Sequence, residues 1–210
     1  MNLGLGGKTA LVTGGSKGIG LAAARGLAAE GARVMIAARD GTVLARAAKD
    51  IEATTGQRVE TAPVDLSTLE GVRGLVADAL ARLGRLDILV NNAGAIKGGD
   101  FLTTPDEEWM RGWSLKLLGY IRMARETLPA MRRQGRGRII NVVGAAARNP
   151  APTYMMGGAA NAALINGARR SRRARRRAGH RRVAGAREDG AVGCAAQAAS
   201  GGRGRGRVRI

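Results

Sequence analysis

Aromatic residues make up only 2% of this 210-residue chain: Phe101, Trp109, Trp113, Tyr120 and Tyr154. So few rings argue against a stacking platform for single-stranded nucleic acid. One cysteine (Cys194) and one histidine (His180) exclude a disulfide framework and a Cys/His zinc site. No apolar run approaches the length of a membrane span, and Met1-Asn2-Leu3-Gly4 lacks the features of a signal peptide. The expectation is a soluble, cytoplasmic protein with no metal and no membrane partner. Acids are scarce as well: 16 stand against 35 Lys and Arg, a net charge of +19.

That charge is unevenly spread. Residues 166–210 hold 14 Arg and 2 acids, so residues 1–165 are only mildly basic. The chain divides into a domain over 1–165 and an Arg/Gly/Ala-rich irregular tail over 166–210. With 45% apolar residues it has enough to bury a core.

In the first part, apolar runs alternate with amphipathic stretches. Thr9–Val12, Arg33–Ala37, Val59–Val64, Leu86–Val90 and Ile139–Val143 read as buried strands. Helical patterns lie between them, over 18–30, 41–55, 67–83 and 105–134. Ser67 and Glu70 have capping-box spacing, as do Thr104 and Glu107, with Pro105 at a first helical position. Alternation of this kind predicts an α/β fold, a doubly wound parallel sheet of Rossmann type. Its ligand belongs at the carboxyl ends of the strands.

The first strand-to-helix turn reads Thr13-Gly14-Gly15-Ser16-Lys17-Gly18-Ile19-Gly20. Gly14 permits a tight turn out of the strand. Gly18 lets backbone approach a pyrophosphate at a helix N-terminus, where free N–H groups favour an anion. Gly20 lets that helix press on the sheet. Together with Asn91-Asn92-Ala93-Gly94, Asp65 in Val64-Asp65-Leu66, and Gly137-Arg138-Ile139-Ile140-Asn141, the turn resembles the short-chain dehydrogenase/reductase family over residues 7 to about 165. The resemblance implies an NAD(P)-binding fold with strand order 3-2-1-4-5 and the C-terminal strands missing. It implies cofactor contacts from Gly14, Ser16, Lys17, Gly18, Ile19, Gly20, Asp65, Leu66, Asn92, Ala93 and Gly94, with Asp65 near the adenine. It also implies a small-molecule substrate and, for an intact chain, a homo-oligomer.

Charge bears on the choice of cofactor. NAD-selective members usually hold the ribose 2′-hydroxyl with an acid at the end of strand two. That position corresponds to Ala38, and Arg39 follows it. Lys17 precedes the second motif glycine. Two cations without the acid suit a 2′-phosphate, so NADP(H) is expected over NAD(H).

The family's catalytic Asn, Ser, Tyr and Lys are all replaced. Their positions hold Lys116, Gly144, Gly157 and Asn161. Lysine and asparagine have thus exchanged places. Tyr154 lies one helical turn before Gly157, near enough to offer a phenol. Lys116, Tyr154 and Asn161 are the expected catalytic group. Hydride transfer to or from a carbonyl or alcohol is the leading reading. A cofactor-binding pseudoenzyme and a basic nucleic-acid-binding protein are the alternatives.

Among Val, Leu, Ile, Phe and Met, residues 166–210 contain only Val183, Val192, Val208 and Ile210, and no proline follows Pro152. No strand is expected to form there. Arg, Ala and Gly codons can consist wholly of G and C, so a GC-rich gene read out of frame gives such a tail. Arg203-Gly204-Arg205-Gly206-Arg207 is the best stretch for nucleic acid, expected to bind non-specifically.

Overall fold

The computed structural model describes residues 3–94, 96–178 and 208–209. Five short parallel strands form at the predicted runs: β1 (Thr9–Thr13), β2 (Arg33–Ala38), β3 (Glu60–Pro63), β4 (Ile88–Asn91) and β5 (Gly137–Asn141). They line up in the order β3-β2-β1-β4-β5, the expected doubly wound sheet. Thr9–Thr13 is buried along its whole length, as a central strand covered on both faces must be.

Alternate residues of the strands feed two cores. Ala10, Val12, Val34 and Ile36 pack under α1 (Gly18–Ala29) and α2 (Gly41–Thr55), with Ala24, Ala28, Leu44 and Ile51. Leu11, Met35, Leu89 and Ile139 face the other way. They meet Leu75, Val76 and Leu83 of α3 (Leu69–Leu83) and Met123 and Met131 of α5 (Gly119–Arg133).

Helix starts differ in detail from the sequence reading. Thr68, not Ser67, caps α3, its hydroxyl accepting the Gly71 N–H at 3.0 Å. Asp65 has already engaged Ser67: its carboxylate accepts the Ser67 N–H at 2.9 Å. Pro105 is the residue before α4 (Asp106–Trp113), and Thr104 spends its hydroxyl on the Asp100 carbonyl instead of a cap. The single helix expected over 105–134 is interrupted. Between α4 and α5 lies a π-helical turn, Ser114–Leu118, with Lys116 at its centre.

The tail is corrected at both ends of what is described. Helix α6 (Met155–Ala178) runs past residue 165, since Ala and Arg are good helix formers. Val208–Arg209 forms β6, parallel to Gly137–Arg138, so a sixth strand joins the sheet where none was expected. An outer strand edge offers unpaired N–H and C=O groups, and two residues of extended chain suffice to meet some of them. The nucleic-acid stretch Arg203–Arg207 lies outside the described residues.

Candidate active site

Gly14 leaves β1 with φ +66° and sends its N–H to the Ala37 carbonyl at 2.7 Å. A Cβ there would stand 2.9 Å from both the Ala93 Cα and the Asn92 Nδ2. The close approach is stitched by Asn92, whose Nδ2 donates to the Thr13 and Gly14 carbonyls, each at 3.1 Å. Thr13 completes the seam. Its hydroxyl accepts the Asn92 and Ala93 N–H groups at 3.0 and 3.1 Å and donates to the Val90 carbonyl. The two motifs that the sequence singled out therefore hold each other.

Gly20 is buried, and a Cβ on it would overlap the Gly14 carbonyl. Gly18 is the opposite case. It has φ +56°, and among the described residues nothing lies within 4 Å of its missing Cβ, so the positive φ and not packing calls for glycine at the start of α1. Among the described residues no side chain caps that helix start.

A cleft of about 460 Å³ opens above these turns. Gly14, Ser16, Lys17, Ile19, Arg39, Leu66, Asn92, Ala93 and Gly94 line it. Gly18, Gly20 and Asp65 do not: Gly20 is spent on packing, and the Asp65 carboxylate is spent on Ser67. That hydrogen bond, helped by the charge of Arg39, holds the Asp65 carboxyl below its ordinary range. The lining also holds Ala38, which the sequence places at the ribose position, and Asp40, Val43, Val64 and Leu115, which the sequence reading did not assign to the site. Asp40 matters most, being an acid beside Arg39. Its carboxylate accepts the Val43 N–H at 3.0 Å and caps α2.

The substituted positions gather at the carboxyl end of β5. Lys116 packs against Gly94, where a Cβ would stand 2.7 Å from its Cδ. Its Nζ donates to the Val142 carbonyl at 2.8 Å. Two residues further along, Gly144 leaves room for Asn161: a Cβ there would stand 2.9 Å from the Asn161 Nδ2. Asn161 is 2% exposed, and among the described residues its Oδ1 has no hydrogen-bond partner. The Tyr154 ring fills the space over Gly157, where a side chain would collide with it. Tyr154 also lines a small recess with Phe101, Trp109 and Met155. The phenol on Lys116, however, is Tyr120, which the sequence reading did not single out. Lys116 Nζ donates to its hydroxyl at 2.9 Å.

A cleft at the strand-order reversal between β1 and β4, floored by glycine turns, defines a dinucleotide-binding protein of Rossmann type. The short chain dehydrogenase family model matches residues 8–181, and the chain belongs to that family. A protein named as ketoacyl reductase 1 of the granaticin polyketide synthase in Streptomyces violaceoruber is 43% identical over 135 residues, which are 63% of this chain and 49% of that one. The L-sorbose reductase of Gluconobacter frateurii, solved with NADPH and L-sorbose, superimposes with a TM-score of 0.78 at 36% identity, covering 84% of this chain and 67% of that one. A xylitol dehydrogenase solved with NAD+ gives 0.76 at 26% identity, covering 83% and 66%. The chain spans about half to three-fifths of the length of the first curated relatives it matches. Among the described residues no helix is long and apolar enough to cross a membrane, and no group of residues is arranged to hold a metal.

Proposed function

We propose that the protein is an NADP(H)-dependent oxidoreductase acting on a small carbonyl or alcohol. The observation that carries this reading is the cleft itself. Gly14, Ser16, Lys17 and Ile19 line it at the start of a helix that no described side chain caps, and Arg39 lines the same cavity. Those residues fit a dinucleotide. The N–H groups and dipole of α1 suit the pyrophosphate, and the two cations suit a 2′-phosphate. Asp40, whose carboxylate caps α2 and also lines the cleft, is an anion that works against a 2′-phosphate, and Lys17 and Arg39 are the two cations that offset it.

A nicotinamide cofactor bound there supplies or accepts the hydride. The chain's own task is to orient the substrate oxygen and manage its proton. We assign that task to Lys116 and Asn161, which approach the same strand exit from different helical segments. Tyr154 offers a hydroxyl from the side of the Phe101 recess. Among the described residues the buried Asn161 Oδ1 meets no donor, and a substrate hydroxyl would supply one.

Incubation with NADPH and a panel of ketones and aldehydes, followed by nicotinamide absorbance, tests the reading. Loss of absorbance dependent on both partners is expected. Tight NADPH binding with no turnover on any carbonyl would favour a second reading, a dinucleotide-binding pseudoenzyme. Glycine at positions 144 and 157 supports that alternative, since neither residue carries a side-chain proton.

A further inference from the structure

Lys116 and Tyr120 stand four residues apart across the π-helical turn. Wider winding of this kind is frequent at functional sites and re-aims the side chains it carries. Three bonds close a triangle at its centre. Lys116 Nζ donates to the Tyr120 hydroxyl at 2.9 Å and to the Val142 carbonyl at 2.8 Å, and the Tyr120 hydroxyl donates to the same carbonyl at 3.1 Å. The ammonium also lies 4.6 Å from the centre of the Tyr120 ring, within cation–π range.

Lysine carries its charge on a long stem with many rotamers, so an unconstrained ammonium is poorly placed for proton transfer. Here the stem is pressed against Gly94, whose missing side chain makes the space. The head is held by a phenol and a carbonyl. Burial differs between the two partners. Tyr120 is 3% exposed, whereas Lys116 is half-buried beside the cleft-lining Leu115. Of the two, Lys116 is the more accessible. Val142 presents its carbonyl because its own N–H is tied back to the Asn91 carbonyl at 2.8 Å, which anchors the triangle to the β4–β5 pair.

We propose that Tyr120 is the positioning residue of this site, holding the Lys116 ammonium in the orientation in which it meets the substrate oxygen. The proposal rests on the reading above that Lys116 handles that oxygen. It assigns the phenol paired with Lys116 to Tyr120, leaving Tyr154 on the far side of Gly157.

Competitive acetylation of the lysines in the 210-residue chain, read by mass spectrometry, provides the test. In the unmodified protein Lys116 should react more slowly than Lys17 and Lys97. In Tyr120→Phe, which keeps the ring and removes one oxygen, Lys116 should react about tenfold faster, a factor expected for one charge-assisted hydrogen bond, with Lys17 and Lys97 unchanged. A spectroscopic reciprocal separates positioning from loosened packing. The chain has 2 tyrosines, so the near-ultraviolet absorption of Tyr120 is the difference between wild type and Tyr120→Phe. Lys116→Met should displace that absorption, and Lys116→Arg should bring most of it back. If Lys116 reacts as fast as Lys17 in the unmodified chain, the proposal is overturned without any variant. The same follows if Tyr120→Phe leaves its rate within twofold, or if the Tyr120 absorption is indifferent to Lys116. NADPH should further slow acetylation of Lys116. Absence of that protection, with the Tyr120→Phe effect intact, would count against the cofactor reading and not against this one.

Discussion

Gly20 and Gly26 lie in one helix under opposite constraints. A Cβ on Gly20 would collide with the Gly14 carbonyl, and backbone cannot swing aside as a flexible side chain can. Gly26 has nothing within 4 Å. Gly20→Ala should therefore destabilise the protein by about 1–3 kcal/mol, while Gly26→Ala should stabilise it by about 0.5–1 kcal/mol through helix propensity. Urea unfolding of the two variants checks both signs. Arg39→Ala should weaken NADPH binding by about 1–3 kcal/mol, as expected for a charge-assisted contact, and leave NADH nearly unaffected. The close packing of Gly14 and Gly20 was legible because it follows from a turn of fixed spacing, and the place of Arg39 in the cleft because it follows the end of a strand. Tyr120 was not, although its i to i+4 spacing from Lys116 was a usable signal. Its contact with Lys116 depends on a π-helical turn and on the Val142 carbonyl just beyond β5, and no local pattern reports either. Asp40 was missed for a similar reason, because its place in the cleft depends on how α2 leaves β2.

Individual strands carry different burdens at their two ends. Beyond the carboxyl end of β5, the chain presents the Val142 carbonyl and Gly144 to the site. At the opposite end of the sheet, Asp87 enters β4 among cations. Burial alone would push its carboxyl up. The Thr9 N–H, Arg85 and Arg136 outweigh burial and leave it below its ordinary range. The folded value is thus lower than the unfolded one, near 3.9. Its contribution to stability is fully present above the unfolded value and is lost as pH falls through the folded one. Asp87→Asn should flatten the acid limb of the stability profile below about pH 4 and cost about 1–3 kcal/mol at neutral pH. Thermal melts from pH 3 to 7, an interval spanning the ordinary carboxyl range, read both effects. Five strands and four helical stretches were legible because apolar runs and amphipathic periods coincide with them. What failed were the boundaries decided by competition for one donor. Asp65 takes the Ser67 N–H and leaves the α3 cap to Thr68.

At the scale of the molecule, the doubly wound sheet brings the turns after β1, β2 and β4 to one cleft, lined by Lys17 and Arg39. A chain of net charge +19 attracts any polyanion, more strongly at low salt. The preference expected of Lys17 and Arg39 is local and should survive screening, whereas attraction to the arginine-rich segment should not. The tail also shows where sequence patterns stop informing. Two residues, Val208 and Arg209, pair with β5 in a segment with too few apolar positions to announce a strand. The most direct measurement is titration calorimetry of the 210-residue chain with NADPH and with NADH, at physiological ionic strength and again at about 0.5 M salt, where charges are screened within a few ångströms. The cleft predicts one site per chain, with NADPH at least about tenfold tighter than NADH under both conditions. Equal affinities, a preference that vanishes with salt, or no binding by folded protein would contradict it.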